Sequence, residues 1–339
     1  MYAFARKLLF SLDPETAHEL SLDCLGAAER LQLLKPFVAT PVSDPVEVMG
    51  LRFPNAVGLA AGLDKNADYF NALGQLGFGS VEVGTVTPLP QPGNPQPRLF
   101  RLIKEEGIIN RMGFNNKGVA HLVAAVARRR YRGVLGINIG KNKATPEEQA
   151  LSDYEKCMDA VYESADYIAI NISSPNTPGL RNLQFGENLS HLLQGIKRRQ
   201  ALLHNATGKR VPIAVKIAPD MTDDEIKGVA DALVSNQYEA VIATNTTVSR
   251  DEVPHSPHKE EMGGLSGRPV AEKSTHVIRV LAEHMQGAMP IIGVGGIMTG
   301  ADAEEKIRAG ASLVQLYSGF IYRGPALVSE AASAVAALS

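Results

Sequence analysis

Residues 171–180, Asn-Ile-Ser-Ser-Pro-Asn-Thr-Pro-Gly-Leu, gather more reactive and hydrogen-bonding chemistry than any other stretch of this 339-residue chain. The apolar run 167–170 leads straight into them, so small polar side chains stand where a strand ends. Asn171 and Asn176 carry amides that both donate and accept. Between them Ser173 and Ser174 offer hydroxyls on a turn stiffened by Pro175 and Pro178. Fixed amides suit a planar polar ligand. Any one of these residues alone reads as an ordinary strand-ending Asx/Pro turn, whereas the ten together point to an active site.

Two further features could do chemistry. Lys216 lies inside the apolar run Ile213-Ala214-Val215-Lys216-Ile217, where an unpaired ammonium is costly. A buried anionic partner or a Schiff-base role is expected for it, and a salt bridge to a neighbouring carboxylate is the ordinary alternative. Gly293-Val294-Gly295-Gly296-Ile297 and Tyr317-Ser318-Gly319-Phe320 are glycine-bearing segments that let backbone N–H groups approach phosphate oxygens. Such a phosphate belongs either to the substrate of an aldolase or isomerase or to flavin mononucleotide in an oxidoreductase. Beside a flavin's pyrimidine ring, a lysine like Lys216 would stabilise the negative charge that accumulates on reduction.

These groups need a scaffold that brings them together. From residue 55 onward, short Val/Ile-rich runs alternate with helical periodicity, as in βαβ units around a parallel sheet. Eight strands are expected, at 55–63, 79–87, 135–141, 167–173, 213–219, 240–246, 290–296 and 313–318. Thr222 is expected to cap a helix starting at Asp223, and Gly300 and Asp302 to precede a helix at 303–309 that ends at Gly310. Eight repeats fit a (β/α)8 barrel, and a doubly wound sheet with extra strands gives a similar count. Polar residues recur at the strand ends: Asp64-Lys65, Thr85, Asn138, Asn171, Lys216, Thr244-Asn245-Thr246 and Gly295-Gly296. A barrel brings all those ends to one mouth, so the fold class expected is α/β, a (β/α)8 TIM barrel with an N-terminal helical extension. Five prolines between 88 and 97, followed by Asn110-Arg111-Met112-Gly113-Phe114, mark a long ordered loop over that mouth.

The division expected is an N-terminal helical segment, 1–40, and a barrel, 41–339. The segment reads as two short helices, the second opened by Asp13 as N-cap with Pro14 at its first position. Phe4, Leu8, Leu9 and Leu12 fall near helical spacing, and Leu20, Cys24, Ala27 and Leu31 continue an apolar face. From spacing alone that face either packs on the barrel wall or docks on a membrane. The 34 basic and 36 acidic residues leave a formal charge of −2, which gives no reason to expect nucleic acid. Cys24 and Cys157 are too few for a disulfide framework, a four-cysteine zinc site or an iron-sulfur cluster, and no metal is expected. No apolar run approaches the ~20 residues that cross a bilayer, and the run at 8–10 is too short for a signal peptide.

Taken together, Ala60 to Asn66, Gly84 to Thr87, Asn110 to Asn115, Gly136 to Lys141, Asn171 to Leu180, Ala214 to Asp220, Ala243 to Thr247, Gly263 to Pro269, Gly293 to Ile297 and Gln315 to Phe320 resemble the dihydroorotate dehydrogenases. The resemblance is to the quinone-linked class 2 branch and runs from about Met49 onward. It implies an FMN barrel that oxidises dihydroorotate to orotate in pyrimidine biosynthesis, its flavin reoxidised by a membrane quinone. By motif position, Ala61, Gly62, Leu63, Asp64, Lys65, Thr85, Asn138, Asn171, Lys216, Thr244, Gly267, Gly296, Tyr317 and Ser318 would hold FMN. Lys65, Asn110, Arg111, Met112, Gly113, Phe114, Asn171, Asn176, Asn245 and Thr246 would meet the substrate, with Lys65 on its carboxylate and the asparagines on its imide edge.

The family mechanism assigns Ser174 as the base, with Thr177 as a candidate relay through water. A serine here, where soluble class 1 relatives carry cysteine, favours the quinone acceptor. His18 and Arg101 would flank the quinone entrance. On this reading, deleting residues 1–40 leaves flavin reduction intact and cripples turnover with quinone. The protein expected is a monomer on the cytoplasmic face of a bacterial inner membrane, in peripheral contact through its N-terminal helices. The alternatives are a class 1-like enzyme with a soluble acceptor and a phosphate-substrate lyase or isomerase using Lys216.

Overall fold

A computed structural model describes residues 2–34 and 40–338. Thirteen strands are found among them: β1 (Val46–Val48), β2 (Leu51–Phe53), β3 (Val57–Leu59), β4 (Ser80–Val86), β5 (Leu99–Leu102), β6 (Gly107–Asn110), β7 (Val134–Ile139), β8 (Tyr167–Asn171), β9 (Ile213–Ile217), β10 (Ala240–Ala243), β11 (Gly264–Gly267), β12 (Ile291–Val294) and β13 (Leu313–Leu316). Eight of these close a parallel barrel in the order β3, β4, β7, β8, β9, β10, β12, β13, with β13 returning to β3. All eight expected strands are present. Their residues are buried on both faces, which is why they read as continuous Val/Ile runs rather than as alternating ones.

The barrel interior is filled rather than hollow. Glu82 of β4 accepts hydrogen bonds from the Asn138 amide of β7 (2.8 Å), the Tyr167 hydroxyl of β8 (2.7 Å) and the Gln315 amide of β13 (2.8 Å). Four strands are thereby tied at one level, with every donor satisfied by a single carboxylate. The phenol ring of Tyr167 fits because residue 136 on the adjacent strand is glycine. A Cβ at Gly136 would stand 2.2 Å from that ring.

Eleven helices are found among the described residues: α1 (Tyr2–Ser11), α2 (Pro14–Arg30), α3 (Phe70–Gly74), α4 (Val119–Val126), α5 (Ala150–Val161), α6 (Gly186–Thr207), α7 (Asp223–Ser235), α8 (Ala271–Met285), α9 (Gly300–Arg308), α10 (Ser318–Arg323) and α11 (Ala326–Ala336). Thr222 opens α7 in a reciprocal capping box with Glu225, as its position before three acidic residues predicts. α9 begins at Gly300, three residues before the expected start. The cap there is Thr299, and Asp302 is the third helical residue whose carboxylate reaches back to it.

The mouth loop differs more from expectation. Between β4 and β7 the chain forms the hairpin β5–β6, which pairs antiparallel with β11 from the segment after β10, as in Gly264 opposite Asn110. The prolines before it hid the short strand Leu99–Leu102. A second hairpin, β1–β2, turns at Met49 and Gly50, both at positive φ, and packs Val48 and Phe53 into the core.

Asp13 caps α2 by accepting from the amides of Glu15 and Thr16, both at 3.0 Å, with Pro14 at the first helical position. The apolar face of α1 and α2 does not lie on the barrel wall. Phe4 is 72% exposed, Leu8 59% and Leu31 68%, with Leu12, Leu20, Cys24 and Ala27 also exposed and Leu9 half-buried. No helix among the described residues is long and apolar enough to cross a membrane.

Candidate active site

β8 delivers Asn171 to the barrel mouth, and the chain then turns away through Ser173. Asn171 is buried, donating its amide to Thr85 Oγ1 (2.9 Å) and accepting from the Ser173 amide (3.2 Å). Thr85 in turn donates to Asn138 Oδ1 (2.5 Å), whose amide is the one held by Glu82. A continuous chain of hydrogen bonds therefore fixes the mouth amides from below. Ser173 Oγ is taken up by the Asn245 amide (3.0 Å) at the end of β10. Ser174 Oγ only accepts a long bond from the Asn176 backbone (3.3 Å), and its residue lines the cleft. Of the two serines, Ser174 is the one free to act on a ligand.

The cleft has an empty volume of about 1010 Å³, counting its opening to solvent. Ala61, Gly62, Lys65, Thr85, Asn171, Lys216, Thr244, Gly267, Gly296, Tyr317 and Ser318 line it, as do Asn110, Met112, Gly113, Phe114, Asn176, Asn245 and Thr246. Four expected residues stand behind the lining. Leu63 is buried, and Asp64 turns inward to accept from the amides of Asp68 (3.0 Å) and Tyr69 (2.7 Å). Burial raises the Asp64 carboxyl to about 6. Asn138 sits one layer down. Arg111 points outward to Glu261 (2.6 Å) and lies over the Phe100 ring.

Residues to which the sequence reading assigned no contact of their own also line the cleft: Ala60, Pro175, Ser266, Val270, Val294, Gly295, Ile297, Gln315 and Gly319, of which only Val270 lies outside the segments it singled out. Gly295 and Gly319 lay inside the glycine-bearing segments, and that signal could have found them. Ser266 is brought in by β11, and its hydroxyl is 2.8 Å from that of Ser318.

Lys216 is buried and makes no ion pair within 4 Å among the described residues, so the ordinary salt bridge is not formed. Burial lowers its ammonium, and the Glu82 carboxylate beneath opposes that shift. A buried cation lining the cleft without a contacting carboxylate among the described residues fits an anionic or electron-accepting ring. Two strands round the barrel, after β12, Gly296 is at φ +75° and a Cβ there would lie 2.3 Å from the backbone of Ala271, so only glycine permits this close turn. The backbone at Gly295, Gly296 and Gly319 and the Ser318 hydroxyl make a lining suited to phosphate. Both ends of a flavin mononucleotide thus find fitting groups.

Lys65 faces the cleft and also a second cavity beneath α2, where His18 lies. Burial pulls the Lys65 ammonium down to about 8, and burial together with Lys65 pulls the His18 imidazole down to about 4. Arg101 is elsewhere, fastened to α1 through the carbonyls of Leu9 (3.1 Å) and Leu12 and over the Phe10 ring. Phe10 closes edge-on against Tyr322 over an apolar nest of Ile108, Met298, Leu99 and Ile321. Tyr317 approaches the Gly62 carbonyl at 3.5 Å, its hydroxyl raised to about 12 by burial.

Residues 45–338 match the family model described as dihydroorotate dehydrogenase. A protein of Teredinibacter turnerae named dihydroorotate dehydrogenase (quinone) is 99% identical over the whole of both chains. One of the same name from Saccharophagus degradans is 67% identical over 99% of each. Among solved structures, DHODH of Eimeria tenella in complex with ferulenol superposes with a TM-score of 0.86 at 40% identity, covering 95% of this chain and 90% of that one.

Proposed function

The chain belongs to the dihydroorotate dehydrogenase family, and on that premise we propose that it oxidises (S)-dihydroorotate to orotate and passes the electrons to a membrane quinone, a step of pyrimidine biosynthesis. The family is flavin-dependent, and the flavin here is FMN, held by the phosphate-suited glycine wall and by Lys216. When bound, FMN supplies the hydride acceptor and the route for electrons to quinone.

The chain's own residues do the rest. Lys65 receives the substrate carboxylate, while Asn110, Asn171, Asn176, Asn245 and Thr246 address the planar ring edges. Asn176 is held for this by donating to the Asn110 carbonyl (3.1 Å), which couples the two loops that enclose the substrate. Ser174 Oγ removes the proton from the carbon beside the ring carbonyl, and the neighbouring carbon gives up hydride. A serine hydroxyl needs an acceptor for the proton it takes. Thr177 Oγ1, buried and without a hydrogen-bond partner among the described residues, supports a relay from Ser174 through a water.

The exposed apolar side chains of α1 and α2 support peripheral docking, and quinone approaches under α1 toward Tyr322 and the cleft. The protein is a monomer on the cytoplasmic face of the inner membrane. The observation that carries the reading is the division of labour between the serines: Ser173 locks the amides, and Ser174 opens into a cleft lined by Lys65 and Lys216. Anaerobic mixing with dihydroorotate bleaches the visible flavin band, and added quinone restores it. Restoration by fumarate or NAD in place of quinone would defeat the assignment of acceptor.

A further inference from the structure

α2 belongs to the segment expected to serve quinone, yet its inner face lines a cavity that shares Lys65 and Met112 with the substrate cleft. Glu15 and Arg98 are both buried, 7% and 8% exposed, and form a two-pronged ion pair. Arg98 Nη2 donates to Glu15 Oε1 at 2.6 Å, and Nε lies 3.1 Å from each carboxylate oxygen. The remaining prong, Nη1, donates to the carbonyls of Pro92 (2.7 Å) and Asn94 (2.8 Å). From there the ties run into the cleft wall. The Arg98 carbonyl accepts from the Arg111 amide (2.9 Å), the Asn94 amide donates to the Met112 carbonyl (3.0 Å), and the Asn94 side chain donates to the Arg111 carbonyl (2.9 Å). Residues 110–113 therefore hang on a guanidinium that α2 neutralises.

Glu15 also faces Lys65. Both line the cavity under α2, and Lys65 and Met112 line the substrate cleft on its other side. We propose that Glu15 is a positioning residue for dihydroorotate binding: it holds Arg98, and through it the 110–113 turn, and it supplies the negative charge that faces Lys65. This rests on the reading of Lys65 as the group that receives the substrate carboxylate. The N-terminal segment is then part of both half-reactions. The expectation that removing residues 1–40 spares flavin reduction is revised accordingly, because the truncation strips a buried guanidinium of its counter-ion beside the substrate.

The charges around Lys65 fix the sign of the test. Glu15, His18 and Glu19 face it from α2, Asp64 precedes it in the chain, and Arg98 stands behind Glu15. Asp23, Asp68 and Lys117 line the same cavity, and Lys216 lines the cleft. Burial depresses the Lys65 ammonium, Arg98 depresses it further, and among the opposing groups Glu15 is the strongest. Lys65 attracts a carboxylate only while protonated, so ligand affinity falls as pH rises through about 8. Without the charge of Glu15 that fall begins at lower pH.

The test uses the flavin-loaded full chain and orotate, the unreactive product, titrated by the visible flavin spectrum at a series of pH values. In Glu15→Gln the alkaline loss of orotate affinity moves down by about one pH unit, and Glu15→Asp restores it. Arg98→Gln, which removes a cation, moves the loss upward and carries the test if Glu15→Gln does not retain flavin. An alkaline limb unmoved in Glu15→Gln overturns the proposal, as does one displaced in the same direction in the Glu15 and Arg98 variants. Lys65→Gln separates the underlying reading: if its orotate affinity and pH profile match the parent, Lys65 is not the carboxylate ligand and the proposal falls with it.

Discussion

At the scale of single residues, the proposal that Ser174 is the base rests on what Ser173 is already doing. Ser173 Oγ is bound by Asn245 at 3.0 Å, so proton transfer through it would loosen the amides at the cleft mouth. Ser174→Ala is expected to keep its flavin and lose about 10²–10⁴-fold in the rate of flavin reduction, the range for a positioned base. Stopped-flow mixing with dihydroorotate measures it, and a loss below about threefold would return the role to another group. Thr177→Val removes the partnerless hydroxyl while keeping the shape of the side chain. It should slow the same step, and an unchanged rate would eliminate the relay. The decapeptide was legible as a site in the sequence because its residue types are chemically loaded. Asn138 was legible by position, while its depth was not, because the layer a strand residue occupies depends on barrel stagger.

At the scale of elements, α1 is an amphipathic helix whose apolar side faces solvent, with none of its residues buried. A packed helix would hide Phe4 and Leu8, and the membrane reading predicts that both insert. Replacing the two by serine should reduce sedimentation with lipid vesicles by more than about tenfold, since each inserted side chain contributes roughly 1.5–3 kcal/mol. Flavin reduction by dihydroorotate should remain. Vesicle binding equal to that of the parent would mean the face serves another purpose. The barrel strands could be read in the sequence because burial on both sides makes their apolar runs unbroken. The β5–β6–β11 sheet could not, because its third strand arrives from a segment about 155 residues away and the prolines before β5 gave the stronger local signal. The start of α9 was misjudged because Asp302 resembles a cap, when its carboxylate is the returning half of a box opened by Thr299.

At the scale of the whole molecule, the barrel's closure depends on fitting Tyr167, Gln315 and Glu82 into one interior layer beneath the cleft. Gly136→Ala drives a methyl into the Tyr167 ring and should destabilise the fold by about 1–3 kcal/mol through overpacking. Thermal unfolding followed by circular dichroism measures this, and an unchanged midpoint would show that the layer yields without cost. The mouth was readable as a convergence of strand ends. Contributors such as Ser266, Val270 and Gln315 were not, because only tertiary packing brings them to it. One arrangement at the join between body and N-terminal segment has a consequence for how such proteins vary. α1 is moored by main-chain acceptors: Arg101 grips the carbonyls of Leu9 and Leu12, while Tyr2 and Arg6 grip those of Ile321 and Tyr322. Carbonyls are the same whatever side chains accompany them, so on α1 itself the ties require only Tyr2 and Arg6 as donors. The outward residues of α1 are thereby free to drift with the lipid of each host, or to be rewritten by an engineer, while the mooring stays in register.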